Sequence, residues 1–163
     1  MAKEPRFLCD EMLTGLGRWL RIAGYDTAIA ARGCRDRDLV EQAHAEERIL
    51  LTRDRRLVET RRAADRTVVL ACDGIDACAK ELAQRLSLDW SLDPLSRCSV
   101  CNTRLNLADR RSRETLPPRI GTFGATVHVC PCCSRLYWEG SHVRRIRKRL
   151  ESFARKSEHG DPC

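Results

Sequence analysis

Arg48-Ile49-Leu50-Leu51-Thr52-Arg53-Asp54 decides the fold class of this chain. A short run of apolar and β-branched residues that ends on a carboxylate reads as a buried strand delivering an aspartate to the end of a sheet. The same shape occurs upstream, where Arg6-Phe7-Leu8-Cys9 runs into Asp10, and downstream, where Thr67-Val68-Val69-Leu70-Ala71 runs into Cys72-Asp73. A further short strand is expected between Tyr25 and Ala30. Apolar residues recur at helical spacing between these strands. Met12, Leu13, Leu16, Trp19, Leu20 and Ala23 share one face, closed by Gly24 as a C-cap. Leu39, Val40 and Ala43 follow Asp36, which is placed to cap their helix. Asp54 starts a helix through Leu57 and Val58, and Ile75, Cys78, Leu82 and Leu86 define another. Strands alternating with helices predict an α/β fold around a parallel sheet. The order of the strands is not legible from this pattern.

The 163 residues suit one compact domain and a small module, and 42% hydrophobic residues suffice for a core. No apolar run approaches the ~20 residues that span a bilayer. Met1-Ala2-Lys3-Glu4-Pro5 lacks the apolar stretch of a signal peptide, so a cytoplasmic protein without membrane contact is expected. Composition changes near Leu92-Asp93-Pro94, which divides the chain into a first domain, 1–93, and a second, 94–163. Charge divides the same way. Residues 1–96 carry 16 Lys/Arg against 17 Asp/Glu, whereas residues 97–163 carry 14 against 6, so all of the net +7 comes from the C-terminal part. A helix is expected from His142 to Phe153, with Val143, Ile146, Leu150 and Phe153 in one stripe and Arg144, Arg145, Arg147, Lys148 and Arg149 around it. A basic module beside a carboxylate-bearing one points to a polyanionic partner such as a nucleic acid; a merely well-solvated surface is the plainer alternative.

Asp10, Asp36 and Asp54 follow or precede strands in equivalent ways. In an open parallel sheet such residues converge outside the carboxyl ends of the strands. Three gathered carboxylates repel one another unless a cation neutralises them. Hard oxygen donors suit Mg²⁺ or Mn²⁺, and such an ion acidifies water and stabilises charge on a phosphoryl oxygen, which is the chemistry of a phosphodiester hydrolase. Each aspartate taken alone also fits a helix N-cap. Asp73 is the candidate for a fourth carboxylate and Asp38 the reserve, with Glu11 weaker. A phosphoacceptor receiver domain fits poorly, because Cys72-Asp73-Gly74 stands where Thr or Ser is needed and no suitable Lys follows.

Ten cysteines in a chain without a signal peptide favour metal over disulfides. Cys98-Ser99-Val100-Cys101 and Cys130-Pro131-Cys132-Cys133 are two C-x-x-C turns, which predict a closed, structural Cys₄ zinc ribbon. Between them runs a long polar segment with Pro117-Pro118. Cys9, Cys34, Cys72, Cys78, Cys132 and Cys163 show no pattern and read mostly as core filler. His128 and His142 flank the ribbon and suit solvent or phosphate. Tyr137-Trp138 suits base stacking or packing of the ribbon against its neighbour.

Together these residues resemble the mut-seven C-terminal RNase domain family, a PIN-like nuclease fold joined to a zinc ribbon. The likeness covers about residues 6–150. It is carried by Phe7-Leu8-Cys9-Asp10-Glu11-Met12-Leu13, Leu16-Gly17-Arg18-Trp19-Leu20-Arg21, Gly24-Tyr25-Asp26, Asp36-Arg37-Asp38-Leu39 and Ile49-Leu50-Leu51-Thr52-Arg53-Asp54, and in the ribbon by Arg97-Cys98-Ser99-Val100-Cys101-Asn102, Cys130-Pro131-Cys132-Cys133 and Tyr137-Trp138-Glu139-Gly140-Ser141-His142. The resemblance implies that Asp10, Asp36 and Asp54 form the acidic cluster, that they hold a divalent ion, and that the substrate is RNA. The expected activity is endonucleolytic hydrolysis of single-stranded RNA. Arg18, Arg21 and Arg53 are expected near the acidic edge, contacting phosphates or pairing with carboxylates. Arg144, Arg145, Arg147 and Lys148 are expected to add salt-sensitive affinity. The competing expectation is a non-catalytic RNA- or ribosome-binding adaptor, and a third is a growth-arresting toxin of the PIN type.

Overall fold

The computed structural model describes residues 4–59, 65–116 and 126–154; Pro117, Pro118 and Cys163 lie outside these. Four short strands, β1 (Phe7–Cys9), β2 (Thr27–Ile29), β3 (Ile49–Thr52) and β4 (Thr67–Val69), form one parallel sheet in the order β2-β1-β3-β4. Between them lie α1 (Thr14–Ala23) and α2 (Asp36–Ala45), and β4 leads into α3 (Ile75–Leu86). A 3-10 turn, Glu11–Leu13, precedes α1, and another, Arg55–Val58, follows β3.

Strand periodicity explains the layers. Phe7, Cys9 and Leu51 point to one face and pack with Leu16 and Leu20 of α1 and with Ala79 and Leu82 of α3. Leu8 and Leu50 point to the other and pack with Leu39 and Ala43 of α2 and with Leu57. The five strand residues have no exposure. Burial of a side chain of the size of Phe or Leu contributes about 1.5–3 kcal/mol, so both faces are committed. Because α1 and α2 cover opposite faces, the winding reverses between β1 and β3. That reversal opens a crevice at the carboxyl ends of those two strands.

A second, antiparallel sheet in the order β5-β6-β7 consists of β5 (Asn106–Leu107), β6 (Val127–Val129) and β7 (Leu136–Trp138), with the short α4 (Arg110–Glu114) after β5. The last helix, α5 (Ser141–Ala154), returns to the first sheet's helices. Its Leu150 and Phe153 are buried in the larger core, with Phe153 edge-on to Trp19 at 5.4 Å and to Trp90 at 4.9 Å. No described helix is long and apolar enough to cross a membrane.

Gly24 closes α1 in the left-handed region, φ +107°, and a Cβ there would meet the Asp93 carbonyl oxygen at 2.7 Å. Cys72 and Cys78 correct the sequence reading: they are joined by a disulfide. Strand β4 ends and α3 begins between them, which brings their Cα atoms to 5.0 Å, within bonding range.

Candidate functional site

Strands β1 and β3 are neighbours in register, with Cys9 opposite Leu51, so Asp10 and Thr52 leave the sheet side by side. Thr52 is fully buried. Its hydroxyl donates to Asp10 Oδ2, and its oxygen accepts the Asp54 backbone N–H at 3.0 Å. One hydroxyl thus links the two aspartates across the reversal point. Asp10 Oδ1 also accepts the Leu13 amide at 3.1 Å, and Asp54 Oδ1 accepts the Arg56 amide at 2.9 Å, so both carboxylates cap 3-10 turns. Asp10 is only 7% exposed; these donors offset the cost of burying its carboxylate. Burial, with the Asp10 charge beside it, pushes the neighbouring Cys9 thiol far up, which makes it inert.

Asp36 sits differently from its expectation. It is the first residue of α2, not its cap; Arg35 holds the capping position without a side-chain cap bond. Asp36 is exposed and has no partner among the described residues. The loop before it is tied back to the acidic edge, because the Gly33 amide donates to Glu11 Oε2 at 2.8 Å. Asp73 is 97% exposed and lies 3.6 Å from Arg53, an ion pair at the rim. Asp38 pairs with Arg35 on the surface of α2. Among the described residues, the aspartates are not drawn into a cluster of ligating atoms of the kind the cysteines form. Their hard oxygens nevertheless suit Mg²⁺ or Mn²⁺ in chemistry, and each capping carboxylate keeps lone pairs beyond its present bonds.

Arg18 is exposed on α1. Arg21 is a correction: α1 carries it away from the acidic edge, and it is buried at the other end. There its Nε donates to the Thr27 carbonyl at 2.8 Å and its Nη1 to the Val100 carbonyl at 2.6 Å. It is a strut between the first sheet and the ribbon, not a phosphate contact.

The four cysteines Cys98, Cys101, Cys130 and Cys133 place their sulfurs within 4.8 Å of one another. The two turns that carry them are geometric twins. In each, the residue after the second cysteine lies in the left-handed region, Asn102 at φ 71° and Ser134 at φ 58°. Its amide donates to the first cysteine's carbonyl at 2.9 Å in both. The first cysteine's amide donates to the carbonyl five residues on, that of Thr103 or Arg135, again at 2.9 Å. Burial opposes ionisation of Cys101, yet hydrogen bonds with Thr103 pull its thiol down to about 6. Burial pushes Cys130 up to about 12. Four gathered sulfur donors on paired turns fit tetrahedral zinc and leave no open position for substrate.

Two residues of the quoted motifs take supporting roles that the sequence reading did not assign them. Asn102 accepts the Thr27 amide at 3.0 Å and donates to Asp26 Oδ1 at 2.8 Å, docking the first turn onto β2. Tyr137 places its hydroxyl 3.1 Å from the Cys98 sulfur, so it serves the metal cluster and not a stacked base. Thr52 is the third omission; its only sequence signal is its place two residues before Asp54 at a strand end. A family model described as Mut7-C RNAse domain matches residues 5–150. No curated protein and no solved structure matches the chain.

Proposed function

The chain belongs to the Mut7-C RNAse domain family, and on that footing we propose that it hydrolyses single-stranded RNA internally, with a divalent cation at the carboxyl edge of a PIN-like sheet. The observation that carries this reading is the Thr52 hydroxyl joining Asp10 to Asp54 at the point where the winding reverses. Ligands of open parallel sheets bind at such a point. Asp10 and Asp54 form the fixed half of the site. Asp36, at the start of α2, completes it from a loop that Glu11 holds in place. Mg²⁺ or Mn²⁺ held by these three would supply charge neutralisation, polarisation of the phosphoryl group and acidification of water. Arg18 and Arg53 stand ready for phosphates, and Asp73 is the rim carboxylate that orients Arg53. Zinc on Cys98, Cys101, Cys130 and Cys133 is structural and contributes folding energy to the ribbon.

Asp54→Asn is expected to abolish Mn²⁺-dependent cleavage of RNA and to leave RNA binding nearly intact. One observation favours the adaptor reading: Asp10 and Asp54 already serve as caps, and Asp36 stands apart. Wild-type protein that binds RNA and never cuts it with any divalent cation would establish the adaptor instead.

A further inference from the structure

We propose, on the RNA-directed reading above, that the cavity between the zinc ribbon and α5 is a nucleobase site for single-stranded RNA, remote from the acidic edge. The cavity measures about 550 Å³, within the range of small-ligand pockets. Its floor is apolar, made by Ile22 at the far end of α1 and by Val143 and Ile146 of α5. Its rim carries Trp138, the ion pairs Arg104–Asp93 and Arg147–Glu139, and the histidines 128 and 142.

Three features of this lining select a nucleotide. Trp138 is 37% exposed, large for an indole, whereas the adjacent Tyr137 is committed to Cys98. An exposed indole offers a stacking face that every base can use. Among the described residues, Arg104 and Arg147 are held by surface pairs alone, with Asp93 at 3.6 Å and Glu139 at 3.4 Å. Such pairs are weak enough for a phosphate to replace. The imidazoles of His128 and His142 have no side-chain partner among the described residues. An apolar peptide would use the floor but leave the indole face and the two displaceable arginines idle.

The surroundings agree in charge. Exposed Arg144, Arg145 and Lys148 continue the basic surface along α5. That helix packs along α3, where Arg149 pairs with Asp76 at 3.1 Å, and lies against Trp19 of α1, over whose ring Arg149 sits at 4.8 Å. Thr14 to Arg21 of α1, ~12 Å of helix, separate Ile22 from the turn that Asp10 caps. A strand held in the cavity and drawn along α5 would therefore approach the acidic edge from one side.

The experiment uses the full, zinc-loaded chain carrying Asp54→Asn, so that RNA stays whole, and a labelled single-stranded RNA of about 12 nucleotides. RNA should quench tryptophan emission. Trp138→Ala should remove the quench and weaken binding about tenfold or more, while Trp138→Phe, which keeps a stackable ring, stays within about threefold. Unchanged affinity in Trp138→Ala, or equal loss in both variants with zinc retained, overturns the site. If Trp138→Ala sheds its zinc, Arg104→Ala with Arg147→Ala decides instead. That pair should flatten the slope of log affinity against log salt by about 1.4, and an unchanged slope overturns the site. Failure of the RNase reading looks different: RNA bound in a Trp138-dependent manner by the wild-type chain, yet left uncut with divalent cation present.

Discussion

A single hydroxyl organises the acidic edge. Thr52 satisfies Asp10 on one side and the Asp54 amide on the other, with no exposure to water. Thr52→Val keeps the shape and removes both bonds. It leaves a buried carboxylate oxygen and an amide unpaired, which costs about 1–3 kcal/mol. Denaturant unfolding should show that loss, and RNA cleavage should fall about tenfold or more, with Thr52→Ser recovering most of both. A valine variant of full activity would remove Thr52 from the site. Asp26 makes a different prediction. Burial works against its charge, yet Arg48, Asn102 and Arg6 hold its carboxyl at about 2 against an ordinary 3.8. A depressed carboxylate stabilises the fold above its unfolded pKa and loses that effect as pH falls toward its folded one. Asp26→Asn should therefore destabilise by about 2 kcal/mol at neutral pH, because the nearly buried Arg48 loses one of its two charge partners and keeps only the more exposed Glu46. The difference from wild type should shrink as pH drops from about 4 toward 2, measured by unfolding at each pH.

At the scale of elements, the β4–α3 junction is stapled by the Cys72–Cys78 bond. Closing so short a loop stabilises by about 2 kcal/mol in the chain-entropy view. Replacing both cysteines with serine should lower the melting temperature in oxidising buffer and leave it unchanged against reduced wild type. A free-thiol count that does not change on reduction would show the bond is not formed in solution. The staple was illegible in the sequence because the argument from compartment weighed against disulfides, and a spacing of six residues does not show that a strand ends between them. The strands themselves were legible, since Phe7-Leu8-Cys9 and Ile49-Leu50-Leu51 are apolar on both faces, as only a doubly covered sheet requires. So were the paired C-x-x-C turns, whose geometry is local. Strand order was not, because it depends on which face each crossover helix takes, and it is this order that puts Asp10 and Asp54 together. Asp36 was misplaced by one position because a cap and a first-turn residue look alike in sequence. Arg21 was misassigned for another reason: nothing in α1 shows what its far end will meet.

The whole molecule is held together by its last helix. Charge makes α5 resemble a solvated basic tail, yet its apolar stripe enters the larger core, where Leu150 and Phe153 are 1% exposed. Phe153 lies against Trp19 and Trp90, while Val143 and Ile146 line the cavity beside the ribbon. Arg21, Arg97 and Asn102 join the same two units by polar bonds at the opposite end of α1 from Asp10. Packing and hydrogen bonds that cross a boundary couple its two sides, so the chain should unfold in one cooperative step. Phe153→Ala tests this, because it empties a buried aromatic site far from both the aspartates and the cysteines in sequence. Truncations of this kind cost about 3–5 kcal/mol. In a Trp138→Phe background, tryptophan emission from Trp19 and Trp90, reporting on the first sheet's helices, and zinc release, reporting on the ribbon, should move together to lower denaturant in the variant. Zinc release that keeps its wild-type midpoint while the emission transition shifts would show two units that merely touch.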